Sequence, residues 1–413
     1  MPTADVAISP EQTQRGIVRV LAVTQIFGGI GMGGVLSLGA LLAEHLSGSA
    51  AFSGMAATMS TLGAAVVAVP LARLAQRRGR RVSLATGSLI AALGAVLAIT
   101  AAAIQVFPLL LIALALLGVG SATNLQARFA ATDLALSATR GRDLSTVVWA
   151  TTIGAVLGPN LFAPGEAVGA AIGLPPLTGA FAFAAIAQVG AAALYAFVLR
   201  PDPLLTALSR RDPTVEVAPR RGALSILRSN PSALFAVATI ALSHATMVSM
   251  MSMAPVHLRD EGFALTIVGF TISLHIAGMY ALSPLFGWLS DRWGRVAVIL
   301  LGQGLLLSSL LISWLGGTSA IAMGAALVLL GLGWSASVIS ASALVSDSVA
   351  IDERPPLQGF SDLSMNGAGA VGGALAGPIL ILVGYPGLGV AAMALVAVVL
   401  VWSLVRRLVA RAA

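Results

Sequence analysis

Gly287-Trp288-Leu289-Ser290-Asp291-Arg292-Trp293-Gly294-Arg295 sits where two charge-free runs meet, 262–290 before it and 296–346 after it. A two- or three-residue turn between antiparallel helices needs a glycine, because the reversal uses backbone conformations that side chains disfavour. The charges of such a turn must stay in water. An acid at the end of one helix, here Asp291, can also face the positive N-terminus of another. The pattern recurs in degraded form as Ala72-Arg73-Leu74-Ala75-Gln76-Arg77-Arg78-Gly79-Arg80-Arg81, with Ala72 for the leading glycine and Gln76 for the acid. Three more correspondences follow in the same order. Gly118-Val119-Gly120 matches Gly331-Leu332-Gly333, and Asp143-Leu144-Ser145 matches Asp362-Leu363-Ser364. Gly154-x-x-x-Gly158-Pro159 matches Gly373-x-x-x-Gly377-Pro378. Matches in one order, at offsets of 213–219 residues, read as the duplication of one unit in one orientation.

Composition says what that unit is made of. The 413 residues are 58% hydrophobic and 9% charged, with mean hydropathy +0.96; a soluble domain carries about 25% charged residues. Nine charge-free runs lie between the charges, and about 20 apolar residues cross the hydrocarbon core. Six runs fit one helix each. The other three break at Gln105 to Pro108, Gly316 to Thr318 and Gly384 to Gly387 and form hairpins. The expected helices are 17–43, 53–75, 82–105, 108–131, 145–168, 175–199, 232–256, 264–290, 296–315, 319–343, 361–384 and 388–406. The expected fold class is therefore an all-α membrane protein. Residues 1–199 form one six-helix half, 232–413 the other, and 200–231 a polar linker with six arginines and three acids.

All 23 basic residues are arginine. With a cytoplasmic N-terminus, 22 of them fall in cytoplasmic segments and only Arg259 lies outside, the asymmetry that orients membrane proteins. Both termini and the linker are expected in the cytoplasm, and the membrane is expected to be a bacterial inner membrane. The net charge of +7 thus reports topology; no segment joins basic residues to an aromatic platform, so no nucleic-acid partner is expected. The absence of cysteine excludes disulfide and thiol chemistry. Residues 1–17 are mostly polar and no cleavage site follows the first apolar run, so helix 1 is expected to remain in the mature protein. No nucleophile–base pair or metal cluster can be assembled, so neither enzyme activity, cofactor nor metal is expected.

The 287–295 segment resembles the cytoplasmic-loop signature G-x-L-x-D-R-x-G-R of the major facilitator superfamily. It falls where that signature belongs, between the second and third helices of a half. The resemblance covers essentially the whole chain, with one departure: in the family the better copy is usually in the first half. Gly-x-x-x-Gly-Pro in helices 5 and 11 is similar to the helix 5 motif of the drug:proton antiporters, the nearest subgroup in motifs. The glycine pair expected after it is replaced by Asn160-Leu161-Phe162-Ala163, and the subgroup's helix 4 arginine by Leu114. The resemblance implies twelve helices in two pseudo-symmetric six-helix bundles, acting by alternating access. It implies that Asp291, with Arg292, Gly294 and Arg295, docks on the start of helix 5 near Arg142 and Asp143. A second latch would join Gln76, Arg77, Gly79 and Arg80 to Asp362 at the start of helix 11. Because Gln76 has no charge, Asp362 is expected to supply the acid and Arg77 or Arg80 the base. Gly154, Gly158, Pro159, Gly373, Gly377 and Pro378 are expected to kink or closely pack helices 5 and 11.

Uncompensated polar groups at mid-bilayer are costly and mark functional paths. Those placed mid-helix by the sequence are Gln25, Asn124, Asn160, His244, His275, Gln303 and Asn366, with no acid among them. Met247, Met251 and Met279 add adaptable apolar surface near the two histidines; core or lipid-facing methionine is the alternative. With Trp334, these residues, Gln303 excepted, are the expected substrate site. The expected function is export of a small apolar or amphipathic molecule by a monomer in the bilayer. Import of a metabolite and a non-transporting receptor are the alternatives, and proton coupling through a histidine or a peripheral acid stays open.

Overall fold

The computed structural model describes residues 10–49, 52, 55–210, 221–316 and 319–412; the side chains at 10, 31–37, 155–156, 158–160, 162–163, 265–266 and 407–412 lie outside that description. The described residues are helical apart from turns and short connections, with no strand. In chain order the helices are α1 (Pro10–Ser47), α2 (Met55–Ala103), α3 (Phe107–Ala130), α4 (Arg140–Asn160), α5 (Phe162–Ala171), α6 (Gly179–Ala193) and α7 (Pro203–Ser209). Then come α8 (Ala223–Ser229), α9 (Pro231–Asp260), α10 (Leu265–Tyr280), α11 (Ser283–Trp293), α12 (Arg295–Gly316), α13 (Ala320–Asp347) and α14 (Arg354–Ala412). Among the described residues, eight helical segments are long and apolar enough to cross a membrane. Two of them turn back on themselves: α2 reverses at Gly79 and α14 at Gly384, both at positive φ (88° and 69°). α1, and α4 continued by α5, complete twelve crossings in two six-helix bundles.

The repeat read from the sequence is visible in the backbone. Gly79 has φ 88°, ψ 167° and Gly294 has φ 89°, ψ 152°. Both copies of the loop therefore turn through the same conformation, one that only glycine adopts without strain. The hairpin at 104–106 likewise reverses at Gln105, with φ 56°.

The halves meet along two symmetry-related contacts, α4 against α11 and the first arm of α2 against the first arm of α14. Close backbone approach makes these possible. A Cβ on Gly287 would lie 2.0 Å from Ser145 Oγ and 2.4 Å from the Gly141 carbonyl, and one on Gly359 would lie 2.4 Å from Ala72 Cβ. The first half is filled largely by Ala and Leu, including Ala95, Ala98, Leu110 and Leu114. Larger side chains such as Phe235, Met250 and Tyr385 fill the second.

Several element boundaries differ from the sequence expectation. α14 starts at Arg354 rather than 361, because Pro355 and Pro356 suit a first helical turn and the polar Gln358 and Asp362 that follow are partnered. α4 starts at Arg140, and the chain breaks at Leu161 between α4 and α5. The expected helix 8 is interrupted at Ala281 and Leu282. Within 200–231, Asp202 caps α7, and Arg221 bonds Glu353 at 2.8 Å; the hydrogen bond it donates to that carboxylate pushes the Arg221 guanidinium above its usual range.

Candidate functional site

A cavity of about 250 Å³ lies between the halves, walled by α1, α2, α3 and α4 on one side and α9, α10, α13 and α14 on the other. Gln25, Asn124, His244, Met279, Trp334 and Asn366 line it, as do Arg128, Tyr280 and Thr151. Much of the remaining wall is apolar, with Leu144, Val147, Val338 and Ile339. Few polar groups against apolar walls is the composition of small-molecule sites.

The polar groups are held by neighbours from other helices. Gln25 Nε2 donates to the Asn124 carbonyl at 2.9 Å, and Thr151 Oγ1 donates to Gln25 Oε1 at 3.1 Å. One chain of bonds thereby joins α1, α3 and α4. Gly28 leaves the seat for the Asn124 amide, since a Cβ there would fall 2.2 Å from Asn124 Oδ1. Across the cavity, Trp334 Nε1 donates to His244 Nδ1 at 3.0 Å. Tyr280 meets the Trp334 ring edge-on at 5.8 Å between centroids. A donating indole fixes His244 Nδ1 as an acceptor.

Some expected site residues lie elsewhere. His275 does not face the cavity; it is fully buried, with Nδ1 2.7 Å from the Leu327 carbonyl, and it packs α10 on α13. Met247 and Met251 belong to the core of the second half. Of the methionines named from the sequence, only Met279 lines the cavity. The side chain of Asn160, and those at Gly158 and Pro159, lie outside the described residues. Gln303 is buried and bonds Ser243 and Ser337 at 2.8 and 2.9 Å, tying α12 to α9 and α13.

One end of the cavity is closed by ties between the halves, on the face that carries both motif loops. Asp291 accepts from the Gly141 and Arg142 backbone N–H groups, each at 2.8 Å, so its carboxylate sits on the N-terminus of α4. Its ion pair is with Arg295 of its own half, not with Arg142, whose side chain is exposed. Arg295 also bonds Asp347 and the Ser137 carbonyl, both at 2.8 Å, and Arg140 pairs with Asp347 from the other half. Asp143 instead accepts from Gln14 Nε2 of α1 at 2.8 Å. Arg292 lies over the Trp288 ring.

The second latch has different partners from those expected. Asp362 pairs with Arg128 of α3 at 2.7 Å, not with Arg77, which is exposed, or Arg80. Arg80 pairs with Asp133 at 2.8 Å and with Gln358 across the interface. Gln76 donates to the Asp352 carbonyl at 3.2 Å, and Thr132 and Ser346 share a hydroxyl bond at 3.0 Å. Asp362 lies two turns inside α14, because that helix begins earlier than the sequence suggested. Sequence reading missed Thr151, Tyr280 and, most consequentially, Arg128. Its place near the end of a helix looked like a solvated flank, yet its side chain is 3% exposed.

The Gly-Pro segments also divide. Gly154 lets α4 touch α1, with a Cβ there 2.5 Å from the Ile26 carbonyl. In α14 that work passes to Gly369 and Gly372, which abut His244 and Ser249 of α9, whereas Gly377 has open space around it. The backbone stays helical through Pro378 and breaks at Gly384.

The model of the Major Facilitator Superfamily matches residues 21–277 and 251–412, virtually the full chain. The chain belongs to the major facilitator superfamily. Among curated members it is 39% identical over 412 residues to the uncharacterized MFS-type transporter YdeG of Bacillus subtilis, covering 96% of this chain and 94% of that one. It is 32% identical over 396 residues to the riboflavin transporter RfnT of Brucella anthropi, covering 95% and 96%. Its fold matches the crystal structure of a bacterial homologue of the iron transporter ferroportin in an outward-facing state, with TM-score 0.74 and 15% identity over 94% of this chain and 98% of that one. The protein is accordingly a multi-pass membrane transporter for a small molecule.

Proposed function

We propose that this superfamily member moves a small amphipathic molecule with a flat, hydrogen-bonding ring system across the bacterial cytoplasmic membrane by alternating access. The observation that carries the reading is the cavity itself: apolar walls, amides from Gln25, Asn124 and Asn366, and the Trp334–His244–Tyr280 rings. A flat ring system gains from aromatic faces, and the few amides give the apolar wall points that fix a ligand's orientation. Residues 1–199 and 232–413 rock as two units joined by 200–231. The arginine-rich face is cytoplasmic by the 22-to-1 split of arginines, so this conformation is closed toward the cytoplasm. Asp291 on α4 and the bonds around Arg80 and Arg128 are the latches that hold it closed.

Uptake is the direction that we favour. Export drew on a methionine-rich site, and Met247 and Met251 lie in the core, while the cavity contains amides and Arg128. The likeness to a riboflavin transporter supplies a first probe. Export remains a second reading on the apolar walls. The test is accumulation of labelled riboflavin by cells that express the protein, beside a panel of flat metabolites and dyes. Trp334→Ala and Asn124→Ala are expected to cut accumulation at least tenfold at equal expression. Energy-dependent loss of dyes with no accumulation of any metabolite would favour export.

A further inference from the structure

Most ties between the halves lie out toward the arginine-rich face, but one borders the cavity. Arg128 of α3 lines that cavity and donates from Nη2 to Asp362 Oδ1 of α14 at 2.7 Å. Both side chains are buried, at 3% and 0% exposure. The pairing is incomplete on each side: Asp362 Oδ2 and Arg128 Nε are buried with no hydrogen-bond partner. Other buried arginines at the interface also carry an orphaned nitrogen, but among the described ion pairs Asp362 is the only carboxylate with an oxygen so left. An orphaned charged oxygen in a low dielectric is costly. The pair also crosses the interface. When the halves part at this end, α14 must leave α3, and two unpaired charges would be stranded in the bilayer unless one is neutralised.

We propose that Asp362 is the carboxylate through which this transporter binds its coupling proton. The proton enters from the cavity and binds the carboxylate. The Arg128 N–H···O bond breaks, Asp362 becomes neutral, and Arg128 keeps its charge and faces the cavity. α14 is then free to part from α3, and the freed guanidinium meets an acceptor group of the substrate. This rests on the transport reading above for its direction and its purpose, but not for its chemistry.

The surroundings limit the rivals. Arg80 of α2 also acts on Asp362, and its own carboxylate partner is Asp133. From α10 and α9, Tyr280 and His244 face Arg128. Asp347 of α13 is held by Arg140 and Arg295, and Asn366, one turn along α14, donates to the Asp362 carbonyl. Of the other ionisable groups that face this pair, His244 is the competitor.

The test needs no substrate, so its failure is separable from failure of the transport reading. The chain has no cysteine, so spin labels go on Ser209→Cys of α7, which packs on the first half, and Ala350→Cys beside α14, both exposed. Distances between them are measured in lipid discs at pH 8 and pH 5.5. The parent protein is expected to gain a longer-distance population at the lower pH, at least threefold larger than at pH 8. Asp362→Asn should show that population at both pH values, and Asp362→Glu should keep the pH response. If Asp362→Asn cannot be purified, Arg128→Gln serves, with the longer population expected at pH 8. A pH response that survives in Asp362→Asn or Arg128→Gln would transfer the role to His244 or another carboxylate and overturn the proposal. So would a parent whose distances ignore pH.

Discussion

At the scale of single residues, the account turns on carboxylates that reach across the interface. Asp291 accepts two backbone N–H groups at 2.8 Å from the start of α4, where the helix dipole favours negative charge by about 0.3–1 kcal/mol, up to about 2 when partly buried. Asp291→Ala is expected to weaken closure by about 1–2 kcal/mol. That corresponds to roughly a 5- to 30-fold larger open population. The check is thiol labelling of Ser346→Cys, which lies between the halves, normalised to the denatured protein at each condition; unchanged labelling would remove Asp291 from the latch. The charge of Asp291 and its place in a loop follow from local pattern; its target on the other half was implied only by the family resemblance. Asp362 was half legible. Its acid-from-the-second-half polarity could be read from Gln76, but its partner could not, because Arg128 is reached only by the packing of α3 on α14. His275 and His244 show the same limit. Both are histidines mid-helix in the second half, and only tertiary packing sends one to the cavity and the other to the α10–α13 contact.

At the scale of helices, hydropathy and charge gaps located the crossings, and the three hairpin breaks fall at or beside the expected polar, Gly and Pro positions. The starts of α4 and α14 were misread because polar residues that look solvated are partnered by the opposite half: Arg140 by Asp347 and Gln358 by Arg80. The glycine pattern was legible as small residues four apart, but not which of them touch a neighbour: Gly369 and Gly372 do, Gly377 does not. The α4–α11 crossing gives the sharpest prediction at this scale. Gly287→Ala must displace Ser145 or the Gly141 backbone, so it is expected to fold yet close poorly. It should raise Ser346→Cys labelling severalfold and lower transport. Gly304→Ala in α12, where a Cβ meets nothing within 4 Å, is the control, expected to leave both unchanged and to change stability by no more than about 1 kcal/mol. Equal behaviour of the two variants would show that the crossing is not tight.

At the scale of the whole molecule, the duplication read from four short matches became two bundles that turn through the same glycine conformation at Gly79 and Gly294. The orientation rests on arginine alone. Cysteines at Ser209 and Ser225, both in 200–231, are expected to resist an impermeant thiol reagent in intact cells and to react in opened ones; labelling in intact cells would invert the topology. The central claim is that substrate crosses because the halves part at the end now closed. Thr132 and Ser346 face each other there, with hydroxyls 3.0 Å apart, close enough for a disulfide to form between substituted cysteines. The decisive measurement is riboflavin transport, or transport of whichever flat metabolite cells accumulate, by the Thr132→Cys/Ser346→Cys protein in liposomes before and after oxidation. The account predicts at least a tenfold loss when the bond forms and full recovery on reduction. Undiminished transport by fully cross-linked protein would contradict it.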